Sequence, residues 1–356
     1  MNAGIGQKLH NTQIMVVADL SSIEYGVVGW LAREPEIMKV LREKREVYLN
    51  FAVLLYASKN LNYDDLLQRY KAGDKEVKLL RQNSKPPVLG CGFKLGGGDL
   101  TINQFGDQVR TGLWGYAKNV CGIDMPRDLA HEAVRVYREA YPNVVQLWAD
   151  MERGFKQVLK DGGRITVGEQ TWNRFERQWF DAPQIENCDG AKITFSRVKT
   201  KSNGYLMRMQ LPSGRFLNYL NARLQKETVL GTDGRPYERE AIIYDGIEHS
   251  STTDEEGKTK KGQTKWGPTR SHGGKLTENS VQAIARDILA NGIRLAREMG
   301  FRIFALFHDE IAALTTRDFG APELEDLLYC MRTNPAWAPT LPLEAAGWVG
   351  KTYHKG

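Results

Sequence analysis

The stretch FRIFALFHDEIAAL, residues 301–314, places two apolar runs on either side of His308-Asp309-Glu310. Apolar runs that are interrupted once by a short charged segment are typical of a buried β-hairpin with acidic residues at its turn. A second apolar run, residues 14–18, ends directly in Asp19. The sequence therefore predicts two buried strand segments, each of which delivers an aspartate to one end of a sheet.

Paired aspartates at buried strand ends need a compensating cation, because an unpaired carboxylate is costly to bury. Two metal ions about 3.5–4 Å apart provide that compensation and suit in-line attack at phosphorus, where one ion activates the attacking oxygen and the other stabilises the leaving oxygen. Taken alone, Asp309 is better explained as a turn residue. The hypothesis that Asp19 and Asp309 hold metal ions therefore depends on the segments around them.

One of those segments carries two cations. Arg81 and Lys85 stand one helical turn apart and so share a helix face, and Phe93 follows two turns after the lysine. Two cations at this spacing can grip a triphosphate, while an aromatic ring offers a surface to a base. For Arg81 and Lys85 alone, a solvated helix face is the better explanation.

The composition sets broad limits. The chain has 356 residues, a formal charge of +6 and 41% hydrophobic residues, which suits one large globular unit or two lobes with a shared core. The slightly basic balance suggests a polyanionic partner. The four cysteines form no cluster of the kind that zinc sites need, so free thiols in a reducing compartment are expected. The polar first residues, and the lack of an apolar run near ~20 residues, predict a soluble cytoplasmic protein with no membrane partner.

The remaining pattern is helical first and β-like later. Pro86-Pro87 are expected to bend one helix near its start, and Pro142 to interrupt another. Short β-like pieces are expected over residues 163–244, with 211–215 as a hairpin turn, and residues 245–274 are expected to form an exposed loop or flexible hairpin tip. The expected helical regions are residues 23–30, 34–57, 79–93, 131–159 and 277–299.

Four motifs stand in a fixed order along the chain. They are D-x-S-x-I-E at Asp19 to Glu24, R-x-x-x-K with a following aromatic at Arg81, Lys85 and Phe93, the stretch from Gly273 to Asp287, and H-D-E at 308–310. In this order they resemble the palm and fingers of family A DNA polymerases, especially those encoded by bacteriophages. The resemblance runs through most of the chain, and four ordered motifs are far more specific than any one of them.

The resemblance implies a metal centre and a sugar contact. Asp19, Asp309 and the Leu20 carbonyl would hold two magnesium ions, with Glu310 beside them as a further catalytic carboxylate. Glu24 would close the space beneath the sugar and exclude a 2′-hydroxyl. These roles imply template-directed extension of a DNA 3′ end from deoxynucleoside triphosphates.

The resemblance also implies contacts to nucleotide and DNA. Arg81 and Lys85 would bind the incoming triphosphate, and Lys85 would donate a proton to the departing pyrophosphate. Phe93 would stack on the base. Gln282 and His308 would contact the primer-template near the growing end.

Three positions depart from the family pattern. Leu89, which is also predicted to bind the nucleotide, stands where the family has an aromatic residue that faces the nucleotide. Phe93-Lys94 stands where Tyr-Gly is usual, so stacking is kept while a phenolic hydroxyl is lost. Tyr25-Gly26 stands where an arginine is common.

The implied fold class is α+β. A palm of antiparallel strands would comprise residues 1–30 and 271–356, and a mostly helical fingers subdomain with an inserted β-hairpin or loop would comprise residues 31–270. The family's thumb and exonuclease-like domain precede the first strand, where this sequence has only some thirteen residues. The expectation is therefore the C-terminal half of a split phage-type replicative polymerase, with a separate polypeptide that supplies those domains. Asp150-Met151-Glu152 imitates an exonuclease motif and is interpreted as a pair of surface carboxylates.

Alternative functions remain open at this point. A single-subunit RNA polymerase shares the architecture, but Glu24 favours DNA synthesis because such enzymes must accept the 2′-hydroxyl. A reverse-transcribing enzyme fits less well, because its motifs differ in kind and order. A catalytically weak or inactive DNA-binding remnant is opposed by the two aspartates, which a purely structural fold would gain by replacing.

Overall fold

The computed structural model describes residues 13–102, 108–183, 188–200, 204–230, 235–253, 259–316 and 322–353, and the following statements concern these ranges. They contain helices and largely antiparallel sheets. The helices are α1 Ile23–Ala32, α2 Pro35–Arg42, α3 Val47–Leu55, α4 Tyr63–Lys71, α5 Lys75–Gly90, α6 Gly112–Asn119, α7 Arg127–Ala140, α8 Pro142–Asp161, α9 Gly273–Glu298 and α10 Leu324–Arg332.

The strands fall into three sheets of four, eight and two strands. They are β1 Gln13–Leu20, β2 Leu100–Ile102, β3 Gln108–Arg110, β4 Arg164–Val167, β5 Gln170–Asn173, β6 Gln178–Asp181, β7 Ile193–Lys199, β8 Tyr205–Gln210, β9 Phe216–Leu230, β10 Pro236–Thr253, β11 Thr259–Ser271, β12 Arg302–Phe307, β13 Glu310–Thr316 and β14 Ala345–Gly350.

The four-stranded sheet joins the two ends of the chain in the order β12-β13-β1-β14. Strand β1 is central and antiparallel to both neighbours, with Val16 opposite Ala313 on β13 and opposite Val349 on β14. Its residues Val16, Val17 and Ala18 are buried, because α10 packs against β1 and β14. The predicted strand before Asp19 and the predicted hairpin at residues 301–314 are both present, but the expectation that the hairpin is buried is wrong for β12, which is largely exposed.

The buried helical core is organised around aromatic side chains. Trp30, Phe51, Tyr137 and Tyr141 are almost fully buried. The Tyr137 and Tyr141 rings meet edge to face with centroids 4.8 Å apart, in the geometry that aromatic pairs prefer. Helices α1, α3, α7 and α8 are therefore fixed against one another beside the four-stranded sheet.

Helix α5 differs from the sequence-based expectation. It begins at Lys75, where the Asp74 side chain accepts hydrogen bonds from the amides of Glu76 and Val77, and such a cap defines a helix start. Pro86 and Pro87 then lie inside the helix, far from its first turn. The prediction that they bend the start of this helix is wrong, because the start lies earlier than the apolar pattern suggested.

The eight-stranded sheet has the order β11-β10-β9-β8-β7-β4-β5-β6. Its long outer strands β10 and β11 pair from Ile242–Ser271 to Thr253–Thr259. The region 245–274 is therefore mainly an antiparallel hairpin, and the expectation of an exposed loop is wrong for it. Residues 254–258, at the predicted hairpin tip, lie outside the described residues. The hairpin turn predicted at 211–215 is confirmed, since Leu211 and Arg215 join β8 to β9 and the Leu211 amide donates to the Arg215 carbonyl at 2.8 Å.

The α+β class is confirmed. Helix α8 begins at Pro142, so the predicted interruption there is also confirmed. The four-stranded sheet is built from the first and last parts of the chain, and most helices come from the part between. The division into palm residues 1–30 and 271–356 and fingers residues 31–270 stays a prediction.

Candidate active site

The end of β1 and the β12–β13 turn meet through the backbone. The Leu20 amide donates to the Asp309 carbonyl at 3.2 Å, and Asp19 is the register partner of Glu310. His308 has φ +52°, in the left-handed region that non-glycine residues rarely adopt. The short turn at His308 and Asp309 therefore holds the two predicted metal-binding aspartates at the same edge of the sheet.

The exposure of these aspartates differs from the sequence-based expectation. Asp19 is exposed and Asp309 is half-buried, whereas both were expected at the ends of buried strands. Strand β12 is itself largely exposed, with Phe304, Leu306 and Phe307 each about 40% accessible. The argument that these carboxylates are costly to bury is therefore wrong for Asp19, and a cation at this edge would be reached from solvent.

Glu310 is the buried carboxylate of the group, with 9% of its surface accessible. Its side chain accepts a hydrogen bond from the Tyr353 hydroxyl at 2.9 Å. Burial, Glu310 and the nearby Asp19 raise the pKa of Tyr353, which keeps that hydroxyl protonated as a donor. Tyr353 also packs on Phe307, with ring centroids 5.1 Å apart.

Glu24 lies at the start of α1, within electrostatic range of the same turn. Its pKa is raised by partial burial, by Glu278 of α9 and by Asp309, while His308 opposes the shift. The carboxylates of Glu278 and Asp309 therefore both lie within electrostatic range of Glu24. Glu278 was not predicted as a site residue, although it lies within the motif from Gly273 to Asp287. Its position on the polar face of α9 is the sequence feature that could have identified it.

Arg81 is held by three neighbours on the α3 to α5 side of the site. Its guanidinium donates to the Glu46 carboxylate at 2.9 and 3.1 Å and stacks on Tyr48 and Tyr70, with 4.9 and 5.2 Å between the guanidinium carbon and the ring centroids. Glu46 also accepts from the Leu49 amide at the start of α3. Arg81, which was predicted to bind the triphosphate, is therefore already paired with a carboxylate. Nothing in the sequence pattern indicated Glu46 as its partner.

The other predicted nucleotide contacts follow Arg81 along the chain. Lys85 is exposed one turn later, and its charge lowers the pKa of Cys121, which burial raises. Leu89 and Phe93 are half-buried, with Phe93 in a short 3-10 turn directly after α5. Lys85 and Leu89 therefore lie within α5, whereas the aromatic position lies just beyond its end.

The start of α9 is packed tightly against α8 and this 3-10 turn. A Cβ at Gly273 would lie 1.8 Å from the Trp148 carbonyl oxygen, and the Gly273 amide donates to Glu152 at 3.0 Å. Burial alone would raise the pKa of Glu152, but Lys156, this amide and Lys94 lower it to about 2. Helix α9 thereby carries Glu278 and, one turn later, the exposed Gln282 in a fixed position.

Asp150 is not a surface carboxylate, and that interpretation is wrong for it, whereas Glu152 is half-buried. Asp150 is only 5% accessible and accepts hydrogen bonds from Gln146, from the Thr171 hydroxyl and from the Trp172 amide. Burial raises the pKa of Asp150 in spite of these bonds. Its role is to attach β5 to α8, and the sequence could not show this because the partners lie in another segment.

The donor groups at the sheet edge suit a hard divalent cation. Among the described residues, no three side chains of His, Cys, Asp or Glu converge as metal ligands. Magnesium, however, is commonly held by one or two carboxylates together with substrate phosphates. Asp19 and Asp309 on adjoining backbone segments, joined by the Leu20 to Asp309 hydrogen bond, fit that pattern.

The chain is similar to a solved structure and to a curated protein. No protein-family model matches the chain. A solved structure described as the POL domain of Pol1 from M. smegmatis in complex with DNA primer-template and dNTP covers 97% of this chain and 40% of that chain, with a TM-score of 0.47 and 14% identity.

Among curated proteins, the DNA polymerase of Bacillus phage SP02 is 27% identical over 342 residues, which are 95% of this chain. The chain spans 41% of the length of that relative. Within the described ranges, none of the helices combines the length and apolar character needed to cross a membrane. Along nearly its whole length the chain is therefore similar to a phage DNA polymerase, which confirms the resemblance that its ordered motifs indicate.

Proposed function

We propose that this chain is the nucleotidyl-transfer part of a template-directed DNA polymerase, which adds deoxynucleotides to a primer 3′ end and releases pyrophosphate. The single observation that carries the proposal is the junction of β1 with the β12–β13 turn, where the Leu20 amide meets the Asp309 carbonyl at 3.2 Å. This junction brings the first and last motifs to one edge of one sheet. The similarity to the phage SP02 DNA polymerase supports the same reaction.

Asp19, Asp309 and the Leu20 carbonyl are proposed to hold two magnesium ions, which in such sites stabilise both the attacking and the leaving oxygen of an in-line displacement. Glu310 would stay fixed by Tyr353 beside Asp19. Glu24 would lie under the sugar, where a 2′-hydroxyl would compete for space next to Glu278 and Asp309. The reaction thus favours deoxynucleotides, which argues against the RNA polymerase alternative.

Arg81 and Lys85 are proposed to bind the triphosphate, and Lys85 to donate a proton to pyrophosphate. Phe93 and Leu89 would face the nucleotide, while Gln282 and His308 would contact the primer-template. Because Arg81 is paired with Glu46, nucleotide binding requires an exchange of one anionic partner for another. Movement of α5 toward the site would complete that exchange and select the correct nucleotide by induced fit.

We also propose that thumb and exonuclease-like functions come from a separate polypeptide and that the protein works in the cytoplasm of a bacterial host. Primer extension by this chain, alone and with the product of a neighbouring gene, tests the first point. Stimulation by the added product would support it, and equal extension without any such product would contradict it.

The central experiment uses purified chain, magnesium and four primer-templates that differ only in the templating base. The expected result is incorporation of the complementary deoxynucleotide on each template. The inactive-remnant alternative is supported if none of the four is extended. Addition of the same nucleotide to all four would contradict template direction.

A further inference from the structure

The β5–β6 hairpin carries aromatic and cationic side chains that the proposed reaction does not use. Phe175 at its tip is 81% accessible, and the Arg174 guanidinium carbon lies 4.7 Å from the centroid of that ring. Trp172 and Trp179 face each other across the hairpin, edge to face, with centroids 5.6 Å apart. Arg153 of α8 stacks on Trp172 at 4.0 Å.

This hairpin is held rigidly by α8. The buried Asp150 accepts from the Trp172 amide at 2.9 Å and from the Thr171 hydroxyl at 2.8 Å. The Trp179 indole donates to Gln157 at 2.8 Å. The Trp179 indole and the Trp172 backbone are therefore both held by α8, as a preformed binding surface requires.

Two clefts flank Trp172. One, of about 720 Å³, is lined by Trp172, Phe175 and Phe180 among others. The other, of about 410 Å³, is lined by Trp172 and Trp179 with four cationic residues and two acidic ones. Trp172 forms a wall of both clefts, so the aromatic faces continue from one to the other.

The charge on this surface is largely uncompensated. Arg153, Arg174 and Arg177 form no ion pair with any described carboxylate. In the smaller cleft Lys160 pairs with Glu240 at 2.6 Å, and Lys156 pairs with Glu152. The nearby Glu176 accepts hydrogen bonds from Asn173 and Gln178, so three arginines remain available to an anionic ligand.

The surface is separate from the candidate active site. Trp148 and Glu152 of α8 contact Gly273 at the start of α9, whereas Asp150, Arg153 and Gln157 face the hairpin. These two sets lie on opposite sides of α8, because successive residues of a helix are turned by about 100°. A ligand here would therefore lie on the side of α8 that faces away from the start of α9.

We propose that the surface formed by Arg153, Trp172, Arg174, Phe175, Arg177 and Trp179 binds single-stranded DNA. Aromatic platforms beside arginines are the combination that binds unpaired strands without sequence preference, because every base has a face that can stack. A duplex offers no such faces along its length, so the surface favours single strands. We identify this single strand as the unpaired template ahead of the primer, and only that identification rests on the proposed function.

The test compares two triple variants of the whole chain. The first, Arg174→Gln/Phe175→Ala/Arg177→Gln, changes only exposed hairpin residues. The matched control, Arg135→Gln/Arg294→Gln/Tyr329→Ala, removes the same charge and one exposed aromatic from α7, α9 and α10. Thermal unfolding of both variants should match that of the unmodified chain, so that a loss of binding is not a loss of folding.

Binding is measured by fluorescence anisotropy with an oligothymidylate of about 20 nucleotides, longer than the roughly 4–16 nucleotides that one such site covers, and with a blunt duplex of equal length. The hairpin variant should bind the single strand at least about 10-fold more weakly, with duplex binding and the control variant unchanged within about 2-fold. The salt dependence of its single-strand affinity should also become shallower by about 1.4 in the log–log slope, for two lost cations.

Single-strand affinity within about 2-fold of the unmodified chain, or an equal loss for duplex, would overturn the proposal. Incorporation of one nucleotide opposite a one-nucleotide overhang is measured in parallel and should not change in the hairpin variant. Failure of the unmodified chain to incorporate would count against the proposed function alone, since the binding assay still decides this inference.

Discussion

The Leu20 amide donates to the Asp309 carbonyl at 3.2 Å, across the junction of β1 and the β12–β13 turn. Residues almost three hundred positions apart in the sequence are thereby fixed at one sheet edge. The hydrogen bond uses backbone atoms only, so it fixes the two chain segments without using either aspartate side chain. The proposed reaction depends on this placement, and the following predictions test its parts.

The pairing of Arg81 with Glu46 predicts a gain of nucleotide affinity in Glu46→Gln. Glu46 competes with the triphosphate for the Arg81 guanidinium, and a partly exposed ion pair of this kind is worth about 1 kcal/mol. Its loss should therefore tighten the binding of deoxynucleoside triphosphate by about 5-fold. The dependence of single-nucleotide incorporation on nucleotide concentration measures it. Glu139→Gln, which removes a carboxylate partner of Arg135 on α7, is the control and should have no effect. Weaker nucleotide binding in Glu46→Gln would show that Glu46 positions Arg81 rather than competing for it.

Glu24 predicts a pH-dependent effect on stability. Its pKa is raised in the folded chain by burial, Glu278 and Asp309, so the folded state holds this proton more tightly than the unfolded state does. Stability is therefore lost as pH rises through the interval between the two pKa values. Glu24→Gln should be more stable than the unmodified chain at neutral pH, and the difference should vanish below the ordinary pKa of 4.5. Denaturant unfolding at several pH values measures this.

A second substitution of Glu24 tests the sugar contact. Glu24→Gln leaves the side chain its size, so Glu24→Ala is the sharper change for selectivity. We expect discrimination against ribonucleotides to fall by about 10-fold or more when the space beneath the sugar opens. The measurement is the ratio of kcat/KM for the deoxynucleotide to kcat/KM for the ribonucleotide. An unchanged ratio would show that Glu24 does not contact the sugar.

Gly273 predicts a packing effect at the contact between α8 and the start of α9. A methyl group there would lie 1.8 Å from the Trp148 carbonyl oxygen, and backbone cannot yield easily, so Gly273→Ala should cost about 1–3 kcal/mol in the free energy of unfolding. Gly96→Ala meets no atom within 4 Å and should change stability by less than about 0.5 kcal/mol. Equal stabilities of the two variants would contradict the tight contact between α8 and α9.

Local pattern predicted much of this arrangement. The apolar runs before Asp19 and around His308 to Glu310 gave the correct strands, because period and length are properties of short segments. Helix α9 was placed within a few residues, although its cap at His272, which accepts from the Lys275 amide, moved its start toward the N-terminus. Such caps are visible only once the backbone is known.

Other features depend on partners that lie far away in the sequence. The burial of Asp150 is set by β5, and the pairing of Arg81 with Glu46 is set by the packing of α3 on α5. In the β10–β11 hairpin, residues 248–253 and 259–265 are polar or glycine, so this part lacks the apolar alternation that identifies half-buried strands. For Asp150 and Arg81 the deciding contact is tertiary, and single-sequence patterns contain no record of it.

The most direct test of the account is single-turnover incorporation of one deoxynucleotide with magnesium by Asp309→Asn. A metal clamp supplies several kcal/mol of transition-state stabilisation, so the rate should fall by about 1,000-fold or more, whereas the matched variant Asp128→Asn on α7 should keep the rate of the unmodified chain. A rate for Asp309→Asn equal to that of Asp128→Asn would contradict the claim that Asp19 and Asp309 form the catalytic centre.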